Sequence, residues 1–154
     1  MITIRSIFSI ISLGCIFLLT GCIGEDYDFT PPTMTVWYHH INEYDSYELT
    51  EASVNWEGPN EETKKTVVDF QSLGIEQNQI EVNAGSEGDL ELGHSDFKLE
   101  EFQVSLWQNN EEIKLPVNES NGFQFPDSKG NYILEVNLSS DRGDVQYVGN
   151  INLN

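Results

Sequence analysis

Cysteine is scarce in this chain of 154 residues: Cys15 and Cys22 are the two present, both near the amino terminus. From residue 23 onward no thiol is left for a disulfide framework, a cysteine metal site or a cysteine nucleophile. Basic residues are scarce too, with seven Lys and Arg against 26 Asp and Glu, a formal net charge of −19. That balance excludes the basic footprint that nucleic-acid binding needs. Histidine occurs three times, at His39, His40 and His94. A Ser-His-Asp arrangement must draw on one of them, and no G-x-S-x-G elbow accompanies them. Neither a phosphate-cradling G-x-x-x-x-G-K-[ST] loop nor a D-x-[DN]-x-[DN]-G calcium loop occurs, and nothing in the chain points to a cofactor. No apolar run reaches the roughly 20 residues of a transmembrane helix. The longest, residues 7–21, is broken by Ser9, Ser12 and Gly14.

What is present starts with that run. It follows Arg5 and ends in small residues, the layout of a secretory signal peptide. Its exit, Leu19-Thr20-Gly21-Cys22, resembles the lipobox of bacterial lipoproteins. In that family a diacylglycerol is attached to the cysteine thiol and a peptidase cleaves just before it. The resemblance covers residues 1–22 and implies that Cys22 is the first residue of the mature protein and its lipid attachment site. Location would then be the outer face of the cytoplasmic membrane, with the membrane as a partner through the anchor. Loss of residues 1–21 removes Arg5 and leaves six basic against 26 acidic side chains, a balance of −20. Such a domain is repelled by an anionic membrane within a screening length of about 8 Å. The chain is also similar to small lipoproteins of Gram-positive bacteria without an assigned function, a likeness that adds a location and no chemistry.

Residues 22–33 read as an acidic spacer, with Glu25, Asp26, Asp28 and the Pro31-Pro32 pair. Proline forces extended backbone and offers no donor. Residues 34–154 read as β throughout. Phe102, Val104 and Leu106 alternate with Gln103 and Ser105, the period of a half-buried strand. A polar turn at residues 108–111 follows, and Ile113, Leu115 and Val117 resume the alternation. Tyr132, Leu134, Val136 and Leu138 alternate with Ile133, Glu135 and Asn137, and a turn at residues 139–144 leads into Val145, Tyr147, Ile151 and Leu153. Earlier candidate strands are residues 34–40, 47–56, 65–70, 80–84 and 89–92, with the charges of 61–72 also compatible with a short helix. Short strands at this spacing, without a long helical period, predict a sandwich or barrel.

Asp127-Ser128-Lys129-Gly130-Asn131-Tyr132, leading straight into an alternating strand, resembles the tyrosine corner of immunoglobulin-like sandwiches. The resemblance covers residues 78–154 and implies an all-β, immunoglobulin-like or fibronectin-like antiparallel sandwich. Gly130 and Tyr132 would form the corner and Trp107 would be the core tryptophan. The antibody-type cysteine pair is absent. Residues 34–77 would supply extra strands or a small β unit.

Several features invite a functional reading. His39 and His40 are adjacent, so on a strand they point to opposite faces and do not share one metal. A ligand set would need one of them with Glu43, Asp45 or His94. The abundant acids suit weak, diffuse association with divalent cations, whereas a specific hard-cation site needs six to eight converging oxygens. Arg142-Gly143-Asp144 spells an integrin-recognition tripeptide on a hairpin tip, where a glycine turn is the plainer account. Seven aromatics crowd residues 27–56; exposed they would stack on sugar rings, buried they would fill a core. The expectation is a non-catalytic binding or envelope-interaction protein. A carbohydrate- or cation-binding envelope module is the alternative, and a small hydrolase using paired carboxylates the third.

Overall fold

The structure is a computed structural model and describes residues 27–154. The expected cleavage motif, Leu19-Thr20-Gly21, and the expected lipid attachment residue, Cys22, lie outside the described residues. The described residues form eleven strands and one short helix, the longer strands following the alternation of apolar and polar residues: β1 (Met34–His40), β2 (Glu43–Glu48), β3 (Thr50–Glu57), β4 (Glu62–Lys65), α1 (Phe70–Ile75), β5 (Gln79–Val82), β6 (Glu87–Leu92), β7 (Leu99–Gln108), β8 (Glu111–Leu115), β9 (Gly122–Gln124), β10 (Gly130–Ser140) and β11 (Gly143–Leu153). They form an all-β sandwich. One sheet has the order β2-β1-β6-β9, the other β4-β3-β11-β10-β7-β8, and β5 pairs with the end of β11. All pairs are antiparallel except β5 with β11. Within residues 79–153, β6 and β9 belong to one sheet and β8-β7-β10-β11 to the other. Residues 34–65 add β1 and β2 beside β6, and β3 and β4 beside β11.

The inward residues of both sheets meet in one core that includes Met34, Val36, Trp56, Leu134, Tyr147 and Ile151. Each large side chain so buried contributes roughly 1.5–3 kcal/mol. A second, smaller cluster lies on the opposite face of the larger sheet. There α1 and its approach set Val67, Phe70 and Leu73 over Ala52, Ile133 and Val148.

Trp107 belongs to this outer cluster, not to the core between the sheets. The core tryptophan is Trp56, 2% exposed. The reason is phase: Val104 and Leu106 on β7 point inward, so Trp107 must point outward, where Phe70 meets it edge-on at 5.5 Å. Residues 47–56 are likewise not one strand. The chain leaves the smaller sheet after Glu48, buries Leu49, and enters the larger sheet at Thr50. Instead of a strand at 65–70, β4 ends at Lys65 and α1 starts at Phe70, capped by the Asp69 carboxylate accepting from the Ser72 N–H. Asp69 thus satisfies an orphan amide that a strand would not present.

Candidate functional site

The fold divides the early aromatics. Met34, Val36 and Tyr38 alternate inward along β1, which sends Trp37 and His39 to the outer face of the smaller sheet. Register places Tyr44 opposite His39, and Asp89 opposite Trp37 on the other side. Tyr44, half exposed, stacks on Trp37 with centroids 5.5 Å apart and planes at 18°, while its other neighbour is the His39 ring at 4.9 Å. Both polar ends are tied down. Trp37 Nε1 donates to Glu91 Oε2 at 2.5 Å, and the Tyr44 hydroxyl donates to Asp89 Oδ2 at 3.0 Å. Tyr44 therefore reaches from β2 across β1 to β6. Desolvation raises its pKa above the ordinary tyrosine value, helped by the bond to Asp89 and the Asp89 and Glu91 charges. Beside this pair, a groove of about 370 Å³ runs over β6 and β9, lined by Glu87, Asp89, Asn118, Gly122 and Gln124 among others.

The three histidines are dispersed. His39 faces outward against Tyr44. His40 sits opposite Glu43 at the strand end, its Nδ1 buried without a hydrogen-bond partner. His94 Nε2 lies 3.0 Å from the Thr30 carbonyl and 4.0 Å from Asp28. Asp45 pairs with Tyr38 in the β1–β2 register. Among the described residues no group of three or more His, Cys, Asp or Glu side chains converges on a cation position.

Arg142, Gly143 and Asp144 are engaged by the fold. The Arg142 guanidinium lies over the Phe29 ring at 5.2 Å, and Asp144 accepts from the Ser139 hydroxyl. A Cβ on Gly143, at φ 129°, would meet the Asn55 carbonyl. At the opposite end of β10, Gly130 takes φ 147° and Tyr132 is buried, its hydroxyl donating to the Ser128 carbonyl at 3.2 Å.

A second groove, of about 290 Å³, crosses the outer face of the larger sheet and is lined mostly by amides, hydroxyls, Glu101 and Asp144. The carboxyls whose pKa moves, Asp28, Asp69 and Glu81, all move down. Thr30, Ser72, and Asn152 with Asn154, respectively, donate to their charged forms. A general acid needs the opposite direction.

The acidic spacer is not free over its whole length. Asp28 N–H donates to Asp96, Trp56 Nε1 to the Phe29 carbonyl at 3.0 Å, and the Tyr147 hydroxyl to the Pro32 carbonyl. Among the described residues no helix is long and apolar enough to cross a membrane.

Sequence reasoning missed the Trp37–Tyr44 pair. Alternation within 34–40 separates Trp37 and His39 from Val36 and Tyr38, but only the β1–β2 register brings Tyr44 to them. The chain matches no protein-family model, no curated protein and no solved structure.

Proposed function

We propose that the protein is a lipid-anchored, extracytoplasmic binding module without catalytic activity, held by Cys22 and contacting its ligand through the outer face of the β2-β1-β6-β9 sheet. The observation that carries the binding role is the stacked Trp37–Tyr44 pair on an open sheet face. A tyrosine half exposed yet fixed at its hydroxyl keeps its apolar ring ordered at the surface, a state that contact with a partner stabilises. The location is supported by the lipobox-like residues Leu19, Thr20, Gly21 and Cys22. No comparable observation supports the hydrolase reading.

Intact-mass measurement and membrane fractionation of wild type beside Cys22→Ala test the anchor in a bacterial host. The expected wild-type product begins at Cys22, carries a diacylglycerol-sized mass increase and sediments with membranes, whereas Cys22→Ala is unmodified and released. An unmodified, uncleaved wild-type chain overturns the anchor. For the binding role, Tyr44→Ala should reduce retention of the protein on isolated envelopes.

A further inference from the structure

Resting on that reading, we infer that the outer face of the smaller sheet takes a polysaccharide of amino sugars with free amines: a pyranose on the Trp37–Tyr44 rings and ammonium groups on Asp89, Glu91 and Glu87.

The hydrogen-bond inventory points to the ligand. The indole N–H and the phenol of the pair are already given to Glu91 and Asp89. What the aromatics still offer is ring surface, which takes the apolar C–H face of a sugar or a cation. The other oxygen of each carboxylate, Asp89 Oδ1 and Glu91 Oε1, has no donor from the described residues, and neither has Glu87. Gln124 spends one of its two amide N–H groups on the Gly85 carbonyl and keeps the other together with its oxygen. Asn118 uses its oxygen on the Ser120 and Gly122 amides and keeps its NH₂. Acceptors thus outnumber donors, so the ligand must bring donors.

Charge says which donors. The four strands of this sheet contain six carboxylates and no lysine or arginine. Glu87, Asp89 and Glu91 alternate along β6, so their side chains rise from one face about 6.7 Å apart. An ammonium supplies three donors and a positive charge, and it is attracted to both the carboxylates and the ring faces.

A basic peptide shares that charge but leaves the rest of the face unused. The groove beside the rings pairs a free amide donor at Asn118 with free acceptors at Asp89 and Gln124. A mixed edge of this kind suits hydroxyl groups, which donate and accept at once. Ring face, hydroxyls and ammonium occur together in one amino-sugar unit.

The test uses the full chain purified in detergent, titrated calorimetrically with a fully deacetylated glucosamine tetramer, its N-acetylated counterpart and tetralysine. The deacetylated tetramer should bind best, and its affinity should fall as salt rises. Tyr44→Ala and Asp89→Asn should each weaken it by about tenfold, while Gln103→Ala on the other sheet should leave it unchanged. Circular dichroism confirms that the variants fold, and Tyr44→Phe, which keeps the ring, should lose less than Tyr44→Ala. Equal binding of the N-acetylated tetramer overturns the ammonium assignment. Equal or tighter binding of tetralysine makes the ligand a basic peptide and overturns the sugar. Failure of all three probes overturns the inference; if Tyr44-dependent retention on envelopes persists, the binding module itself still stands.

Discussion

The Tyr147 hydroxyl is buried between the sheets and donates to the carbonyl of Pro32, 115 residues away in sequence. Burial, with a smaller push from Glu51, raises its pKa well above the ordinary tyrosine range. The folded state therefore favours the neutral phenol. The stabilisation is fully present below the unfolded-state pKa of about 10 and is lost as pH rises from there toward the folded value. Tyr147→Phe should lower stability at neutral pH by about 1–2 kcal/mol, because the Pro32 carbonyl loses its donor. It should also reduce the steepness of the alkaline loss. Some slope persists, since burial raises Tyr38 and Tyr47 as well. Urea unfolding of both proteins from pH 7 to pH 11 reads both effects. Parallel alkaline curves would mean that the phenol does not report on folding.

At the scale of elements, α1 stabilises the larger sheet by close approach. A Cβ on Gly74 would come within 2.6 Å of Ile133 Cγ2, so the glycine lets the helix settle on β10. Alanine raises helix propensity by about 1 kcal/mol, whereas overpacking costs roughly 1–3 kcal/mol. Gly74→Ala should therefore destabilise slightly and shift the fluorescence of Trp107, which packs against Phe70. A stabilised variant with unchanged fluorescence would show that α1 does not depend on this contact. The same element marks the limit of the sequence. Strands with two clean faces were legible: residues 34–40 coincide with β1, and the alternation of 132–138 and 145–153 fell inside β10 and β11. Alternation distinguishes two faces but does not say what covers the outer one, which is why Trp107 read as core and Trp56 did not. Nor does it show a strand changing sheets at Leu49, or the register that brings Tyr44 to Trp37. Those depend on pairings between distant segments.

For the molecule as a whole, the segment before β1 connects location to stability. It read as spacer from residue 22 to 33, twelve residues and roughly 40 Å when stretched. In the fold, residues 28–33 lie against the domain, with the Phe29 and Pro32 carbonyls serving Trp56 and Tyr147 and the Thr33 carbonyl accepting from Gly93. A lipid on Cys22 would then have at most roughly 17 Å of chain before Tyr27. The anchor would hold the end that carries the β10–β11 turn, where Arg142 covers Phe29. The β1–β2 and β7–β8 turns point the other way. Deleting residues 27–33 separates the two accounts. A spacer could go without effect on unfolding. A docked strap takes with it the acceptors of two buried donors, each about 1–3 kcal/mol when unsatisfied. The deletion should therefore lower the thermal midpoint clearly, and lengthening the chain between Cys22 and Tyr27 with Gly and Ser should not. An unchanged midpoint in the deletion would return residues 27–33 to the role of tether. A lowered one would mean that residues 27–33 belong to the domain and help to close its core, so that a lipid on Cys22 would have only the short stretch before Tyr27 as its tether.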